Sequence, residues 1–339
     1  MPETATPLAG PVAAGVRWFG RVDLVSNPTR PRFSWSGTGF VARFSGAGLR
    51  AQLANQGAYL FKAVIDGRPQ PAFTATAGTG SYALAAGLSA GTHTVELYRQ
   101  SEGPLGVSQL VGLGVDGGAL IDPPPGPERL IEVVGDSISC GFGILGTLAD
   151  ADCYPTESHW DAYPSVMARA LRAEVSTIAA SGRGVVRNYA GDTADTLPLV
   201  YDRIIADRAL PAWDFRVRPQ AVVINLGTND ISNDKGDPGT AFQDAYQALV
   251  ETIRTRYPHA YILCTIGPLT GAGEAAVIAG HIRNALAARR AAGDTQVELF
   301  DQILPQTQDK YACAYHPNVA ENAIIAGQLA DRLRAKLDW

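Results

Sequence analysis

Three short segments carry the side chains that acyl transfer needs. Gly135-Asp136-Ser137 sets a hydroxyl after a glycine small enough for a sharp turn. Ile224-Asn225-Leu226-Gly227-Thr228-Asn229-Asp230 supplies an uncharged amide, and Ala314-Tyr315-His316-Pro317-Asn318 supplies an imidazole. A serine Oγ attacks a carbonyl carbon when a neighbouring base takes its proton, and the resulting oxyanion needs fixed, neutral donors. Each segment alone has an ordinary structural explanation: an N-cap serine, an Asx turn closing a strand, a surface histidine. Of the five histidines, His93 lies among short β segments and His159, His259 and His281 lie in or beside helical stretches, so only His316 follows the last expected strand. Asn318 and Glu321 fit a capping box, which sets His316 immediately upstream of a helix.

The elements that must position these residues fall into two grammars. Residues 16–22, 39–44, 49–53, 58–65, 81–85 and 93–98 are strand-length, rich in β-branched and aromatic side chains, and separated by turns such as Asp66-Gly67. They predict a β-sandwich or jelly roll over residues 1–121. Residues 122–129 contain Asp122-Pro123-Pro124-Pro125-Gly126-Pro127, which suits neither a helix nor a central strand and reads as a stiff linker. From residue 130 to 339, apolar runs at 130–134, 175–179, 221–226, 260–266 and 297–300 alternate with amphipathic stretches at 163–173, 240–257, 274–292 and 319–337. Strands apolar on both faces with helical crossovers predict an α/β/α domain with a parallel sheet of about five strands, and ligands bind at the carboxyl ends of such strands. All three chemical segments fall at that edge.

Composition limits the alternatives. The 339 residues are 46% hydrophobic and 18% charged, enough apolar material for packed cores. The 28 Lys+Arg against 33 Asp+Glu give a net charge of −5, so nothing favours generic nucleic-acid binding. No run of about 18 apolar residues exists to span a membrane, so no membrane partner is expected. Met1-Pro2-Glu3-Thr4-Ala5-Thr6 has neither a basic nor an apolar export region. Cys140, Cys153, Cys264 and Cys313 show no CxxC spacing, so neither zinc nor a dense disulfide framework is expected; Cys140 and Cys153 are the pair near enough in sequence to suggest a bridge.

From Leu130 onward the chain resembles the SGNH/GDSL hydrolase superfamily, through Gly135-Asp136-Ser137, Gly182 in Ser181-Gly182-Arg183-Gly184, Gly227-Thr228-Asn229-Asp230 and His316. The longer forms Gly-Asp-Ser-Ile-Ser-Cys-Gly-Phe-Gly and Ser-Gly-Arg-Gly-Val resemble carbohydrate esterase family 2. Gly91-Thr92-His93-Thr94-Val95-Glu96-Leu97 and Ser101-Glu102 resemble the jelly roll that family carries before its hydrolase. The resemblance implies a serine esterase that deacetylates xylan, glucomannan or related glycans through an acetyl-enzyme. Ser137 is the implied nucleophile and His316 the base. The implied oxyanion donors are the Ser137 and Gly182 backbone N–H groups and the Asn229 side chain, with Gly184 the alternative to Gly182. No metal or organic cofactor is implied, and a secreted or periplasmic setting is. Other acyl esters, as for a lipase or thioesterase, and a catalytically weak sugar-binding protein are the competing expectations.

One departure stands out. Many superfamily members carry an Asp two or three residues before the histidine, where this chain has Ala314 and Cys313. A backbone carbonyl, a carboxylate from Asp301 or Asp309, or loss of catalysis would each account for it. The retention of Ser137, Asn229 and His316 favours a Ser–His dyad, which some family 2 esterases resemble. Tyr315 is a candidate sugar contact, with Tyr189 and Trp213 weaker ones. Arg183 and Arg187 suggest either an acidic sugar or solvated charges. The β domain is expected to buttress the hydrolase or to bind glycan.

Overall fold

A computed structural model describes residues 15–303 and 305–339. The first fourteen residues, including the stretch read for an export signal, and Leu304 lie outside the described residues. Backbone packing divides the chain into two units: residues up to Gly126 together with Arg203–Trp213, and Pro127–Asp202 together with Asp214–Trp339.

In the first unit, two antiparallel sheets share one apolar core. One sheet runs in the order Arg17–Phe19, Gly39–Gly46, Gly91–Arg99, Tyr59–Ile65 and Arg68–Pro69, with Ala119–Ile121 and Phe73–Ala75 pairing alongside. The other runs Val22–Asp23, Arg32–Phe33, Ser108–Asp116, Gly48–Asn55 and Gly78–Ala85. Alternate residues Phe40, Ala42 and Phe44 from one sheet and Leu49, Ala51 and Leu53 from the other are buried together with Phe33, Phe61 and Leu97, as two half-buried sheets require. The run read as one strand at 16–22 is two strands in different sheets. Gly20 breaks it at φ 74°, where a Cβ would lie 2.6 Å from Thr38 Oγ1. Ser108–Asp116 was not expected as a strand, because Gly112 and Gly114 interrupt its alternation and its pairing shifts register between Leu110 and Gly112.

Arg203–Ile205 and Arg208–Ala212 form a small antiparallel pair that packs in this unit, although the sequence reading assigned 130–339 to one domain. Ile204 and Ile205 join Val107 and Trp213 in a satellite cluster. Trp35 Nε1 and Arg21 Nη1 both donate to the Arg203 carbonyl, each at 3.2 Å, and Ala206 N donates to Ser34 Oγ at 2.9 Å.

The second unit holds a parallel sheet of five strands: β1 (Arg129–Gly135), β2 (Ala173–Ala179), β3 (Ala221–Asn225), β4 (Tyr261–Thr265) and β5 (Val297–Phe300), in the order β2-β1-β3-β4-β5. The inner strands β3 and β4 are wholly buried and β1 is buried over its last five residues because helices cover both faces, while the edge strands β2 and β5 are partly half-buried. Ile131, Val133, Ala221, Val223 and Leu263 pack on Tyr163 and Met167 of one helix (Tyr163–Ala170) and on Ile325, Leu329 and Leu333 of the last helix (Val319–Leu337). On the opposite face, Tyr246 from the helix Gly239–Arg256 meets Cys264 of β4. The pairing sets Gly135 opposite Ala179 on one side and Asn225 on the other, so the carboxyl ends of β2, β1 and β3 lie side by side. No helix among the described residues is long and apolar enough to cross a membrane.

Candidate active site

Beyond β1 the chain turns at once into a single helical turn, Ser137–Cys140. Gly135 is required there because a Cβ would lie 2.0 Å from Ser139 Oγ. Asp136 caps the turn, its Oδ1 accepting from Ile138 N at 3.0 Å, and Gly141 at φ 80° ends it by donating its N–H to Ser137 O. Ser137 therefore sits in a backbone fixed at both ends, with its side chain at the edge where β1 stops.

His316 lies in the loop between β5 and the last helix. Its Nε2 is 2.8 Å from Ser137 Oγ and its Nδ1 is 3.2 Å from Ala314 O. A carbonyl only accepts, so Nδ1 carries the proton and Nε2 presents its lone pair to the serine hydroxyl. Burial pushes His316 down to about 4, only partly opposed by the Ala314 and Cys313 carbonyls, which keeps the ring neutral at pH 7. The Phe142 ring meets the imidazole edge-on at 5.0 Å. The carboxylates considered as orienting groups are engaged elsewhere: Asp301 pairs with Arg283, and Asp309 with Lys310 and Thr307 Oγ1. Asn318 caps the last helix through Glu321 N, while its own N–H goes to Lys310 O, so the expected capping box is present in its first half.

Asn229 is in the short helix Thr228–Ile231 beyond β3, entered through Gly227 at φ 123°. Its Nδ2 donates to Arg183 O at 2.9 Å and lies 3.4 Å from Asp136 Oδ2. The first bond fixes the amide; the second is long enough to yield to a better acceptor. Asp230 organises the loop that carries Gly182. Its carboxylate accepts the backbone N–H groups of Val185 at 2.9 Å, Val186 at 2.8 Å and Arg187 at 3.2 Å. Burial raises the Asp230 carboxyl despite these bonds. Burial, with Asp230 adding repulsion, brings Asp136 up to about 7. Gly184 donates its N–H to Asn188 Oδ1 at 3.3 Å, and a Cβ on it would lie 2.7 Å from Asp230 Oδ2. Gly182 stands at φ 75°, and Tyr189 N donates to its carbonyl.

Tyr315 and Tyr189 are both exposed. Tyr315 packs edge-on against Tyr311, and Lys235 Nζ lies 5.3 Å over the Tyr189 ring. Trp213 packs in the first unit under the Arg21 guanidinium. Arg183 and Arg187 spend their guanidiniums on backbone carbonyls, of Ala194 for the first and of Asp230 and Gly236 for the second. His159 is buried between Thr177 Oγ1 and Ser165 Oγ, and burial depresses it to about 3.

Three features were not foreseen. Cys153 bridges Cys313, while Cys140 and Cys264 are free and buried, so the Cys140–Cys153 pairing suggested by proximity does not form. Tertiary packing, not sequence separation, brings the two sulfurs together. Phe142 against His316 was legible only as the middle of Gly141-Phe142-Gly143. The Asp230 nest was hidden because its donors lie more than forty residues upstream.

Residues 18–125 match the carbohydrate esterase 2 N-terminal family, and residues 133–324 match the GDSL-like lipase/acylhydrolase family. The chain is 33% identical to the cellulase/esterase CelE of Acetivibrio thermocellus over 96% of its own length, and spans 40% of that protein. It is 27% identical to an acetylxylan esterase/glucomannan deacetylase of Cellvibrio japonicus, covering 91% of this chain and 85% of that one. A solved family two carbohydrate esterase from Clostridium thermocellum, in complex with cellohexaose, superimposes with a TM-score of 0.92 at 32% identity, covering 96% of this chain and 100% of that one. The chain belongs to carbohydrate esterase family 2 and is an esterase with a β-rich N-terminal domain and an SGNH hydrolase domain.

Proposed function

We propose that the protein removes O-acetyl groups from carbohydrate through an acetyl-enzyme formed on Ser137, with His316 as its only side-chain partner in proton transfer. The observation that carries this reading is the 2.8 Å approach of His316 Nε2 to Ser137 Oγ, with Nδ1 held by Ala314 O. Ser137 Oγ attacks the acetyl carbon as its proton passes to Nε2. The tetrahedral intermediate collapses, and imidazolium returns the proton to the departing sugar oxygen. Water then repeats the sequence on the acetyl-enzyme, releasing acetate and restoring the hydroxyl. A carbonyl acceptor orients the ring and fixes its tautomer, although it stabilises imidazolium less than a carboxylate does.

The oxyanion is received by the N–H groups of Ser137 and Gly182 and by Asn229 Nδ2. Gly182 is preferred to Gly184 because the Gly184 N–H is given to Asn188. Exposed Tyr315, next to His316, and Tyr189, next to Gly182, are proposed sugar contacts. The glycan class follows the names of the relatives, an acetylxylan esterase/glucomannan deacetylase and an esterase solved with cellohexaose.

The test is acetate release from acetylated xylan, acetylated glucomannan and acetylated monosaccharides by wild type and Ser137→Ala, beside hydrolysis of aryl acetate and aryl octanoate. The expected result is acetate release that Ser137→Ala abolishes while polysaccharide retention persists, and preference for the acetate ester. Preference for octanoate assigns the site to another acyl ester. Absence of acetate release from every glycan leaves sugar binding as the function.

A further inference from the structure

A cystine occupies the place in the chain where a third catalytic carboxylate was expected. Cys313 is three residues before His316, and its bridge to Cys153 spans a sequence separation of 160. Cys153 belongs to the loop that follows the Ser137 turn, so the bridge ties the nucleophile's loop to the base's loop with Cα atoms 5.6 Å apart.

The turn held by this bridge is an unusual one. Ala314 and Tyr315 take φ values of 50° and 63°, two successive non-glycine residues in the left-handed region. Such conformations persist where the surroundings over-determine them. The surroundings here are specific. Cys313 N donates to Gly143 O at 3.3 Å, and His316 N returns to Cys313 O at 3.0 Å. Gly143 at φ 63° leaves no room for a side chain, since a Cβ would lie 2.8 Å from the Cys313 Cβ and 3.0 Å from the Cys153 Cβ. The same bridged loop supplies the wall of the imidazole, because Phe142 packs at 5.0 Å on both His316 and Tyr154, the residue after Cys153.

We propose that the Cys153–Cys313 disulfide is a positioning element for His316, locking the left-handed turn that aims the Ala314 carbonyl at Nδ1 and so doing the orienting work that a carboxylate does in a triad. Cys153 and Cys313 are positioning residues and touch no substrate. The inference rests on the Ser137–His316 reading above. Without the bridge the two left-handed residues relax, the carbonyl turns away, and the ring is free to rotate off Ser137.

The experiment uses two cystine-free forms of the full chain: Cys153→Ala/Cys313→Ala, and wild type kept in dithiothreitol. The dithiol gives two electrons and two protons to the bridge and itself closes to a cyclic disulfide. Native folding is followed by near-ultraviolet circular dichroism, and assays are run well below each form's thermal midpoint. The readouts are kcat and KM on an aryl acetate and the rate of Ser137 phosphonylation by a fluorophosphonate. Both forms should lose kcat and phosphonylation rate by about ten- to a hundred-fold, the scale of an ångström-sized misplacement, with KM within about two-fold. Ala314→Asp in the double variant should recover most of kcat, since Asp tolerates positive φ and restores a carboxylate two residues before the imidazole. Wild-type kcat in a folded cystine-free form overturns the proposal, as does a loss that Ala314→Asp leaves unrescued. Activity that survives Ser137→Ala in the oxidised protein overturns the dyad itself. Activity that needs Ser137 but ignores the cystine overturns this inference alone.

Discussion

Replacing Asn229 with Ala isolates the side-chain donor of the proposed oxyanion site. In the resting protein the amide is already oriented, with Nδ2 2.9 Å from Arg183 O and a loose 3.4 Å approach to Asp136 Oδ2. An oxyanion donor is worth about 2.7–4 kcal/mol in the transition state. At about 1.36 kcal/mol per decade, its removal lowers kcat by roughly 100- to 900-fold. The lost bond to Arg183 O adds about 1 kcal/mol of weakened loop anchoring, which pushes the expected loss toward the upper part of that range. Asn229→Asp keeps the shape and should fall at least as far, because it loses the donor and brings a second carboxyl against Asp136. The assay is steady-state hydrolysis of an aryl acetate, with folding checked by thermal midpoint. The loss should lie in kcat with KM nearly unchanged. A loss below about five-fold, or one confined to KM, would refute the oxyanion role and leave Asn229 as a loop tie.

Three further outcomes are expected. Because burial holds His316 at about 4, kcat/KM should stay flat from neutrality down to about pH 5 and fall below it; an acidic limb near the ordinary histidine value of 6.5 would show the ring to be solvated in the free enzyme. Asp136 is raised from 3.8 to about 7, so the native state holds a proton that the unfolded chain releases; the stability this contributes is complete below about pH 3.8 and is lost as pH rises through 7. Asp136→Asn should therefore flatten the difference in denaturation midpoint between pH 5 and pH 8, and an unchanged difference would assign that dependence to another group. Asp230→Ala removes the acceptor of three backbone N–H groups, so kcat should drop by at least about ten-fold through displacement of the Gly182 loop, with a lower midpoint, since such charge-assisted bonds are worth about 1.5–3 kcal/mol each. Unchanged kcat would separate this nest from the oxyanion site.

The parallel sheet and its edge were readable because their determinants are local. Apolar runs of strand length mark β1 to β5, and the glycines before Asp136-Ser137 and before Thr228-Asn229 mark where the chain must turn. The cap by Asn318 on Glu321 N was legible for the same reason, since it spans three residues. Ser137, Asn229 and His316 could thus be set at one edge from strand order alone.

What the linear pattern lacked was everything decided by residues far apart in the chain. Arg203–Trp213 reads as part of the α/β half, yet Ile204 and Ile205 find their apolar partner in Val107. The direction of the Ala314 carbonyl depends on a φ of 50°, which alanine does not announce as glycine would. That conformation persists beside a bridge to Cys153, 160 residues upstream. By itself the sequence determined the chemical groups and the sheet edge that presents them, because periodicity and turn preferences act over a few residues. Only the tertiary structure decided that a carbonyl faces the histidine and which cysteines join, because side-chain packing and left-handed backbone are set by contacts that no short stretch of chain contains.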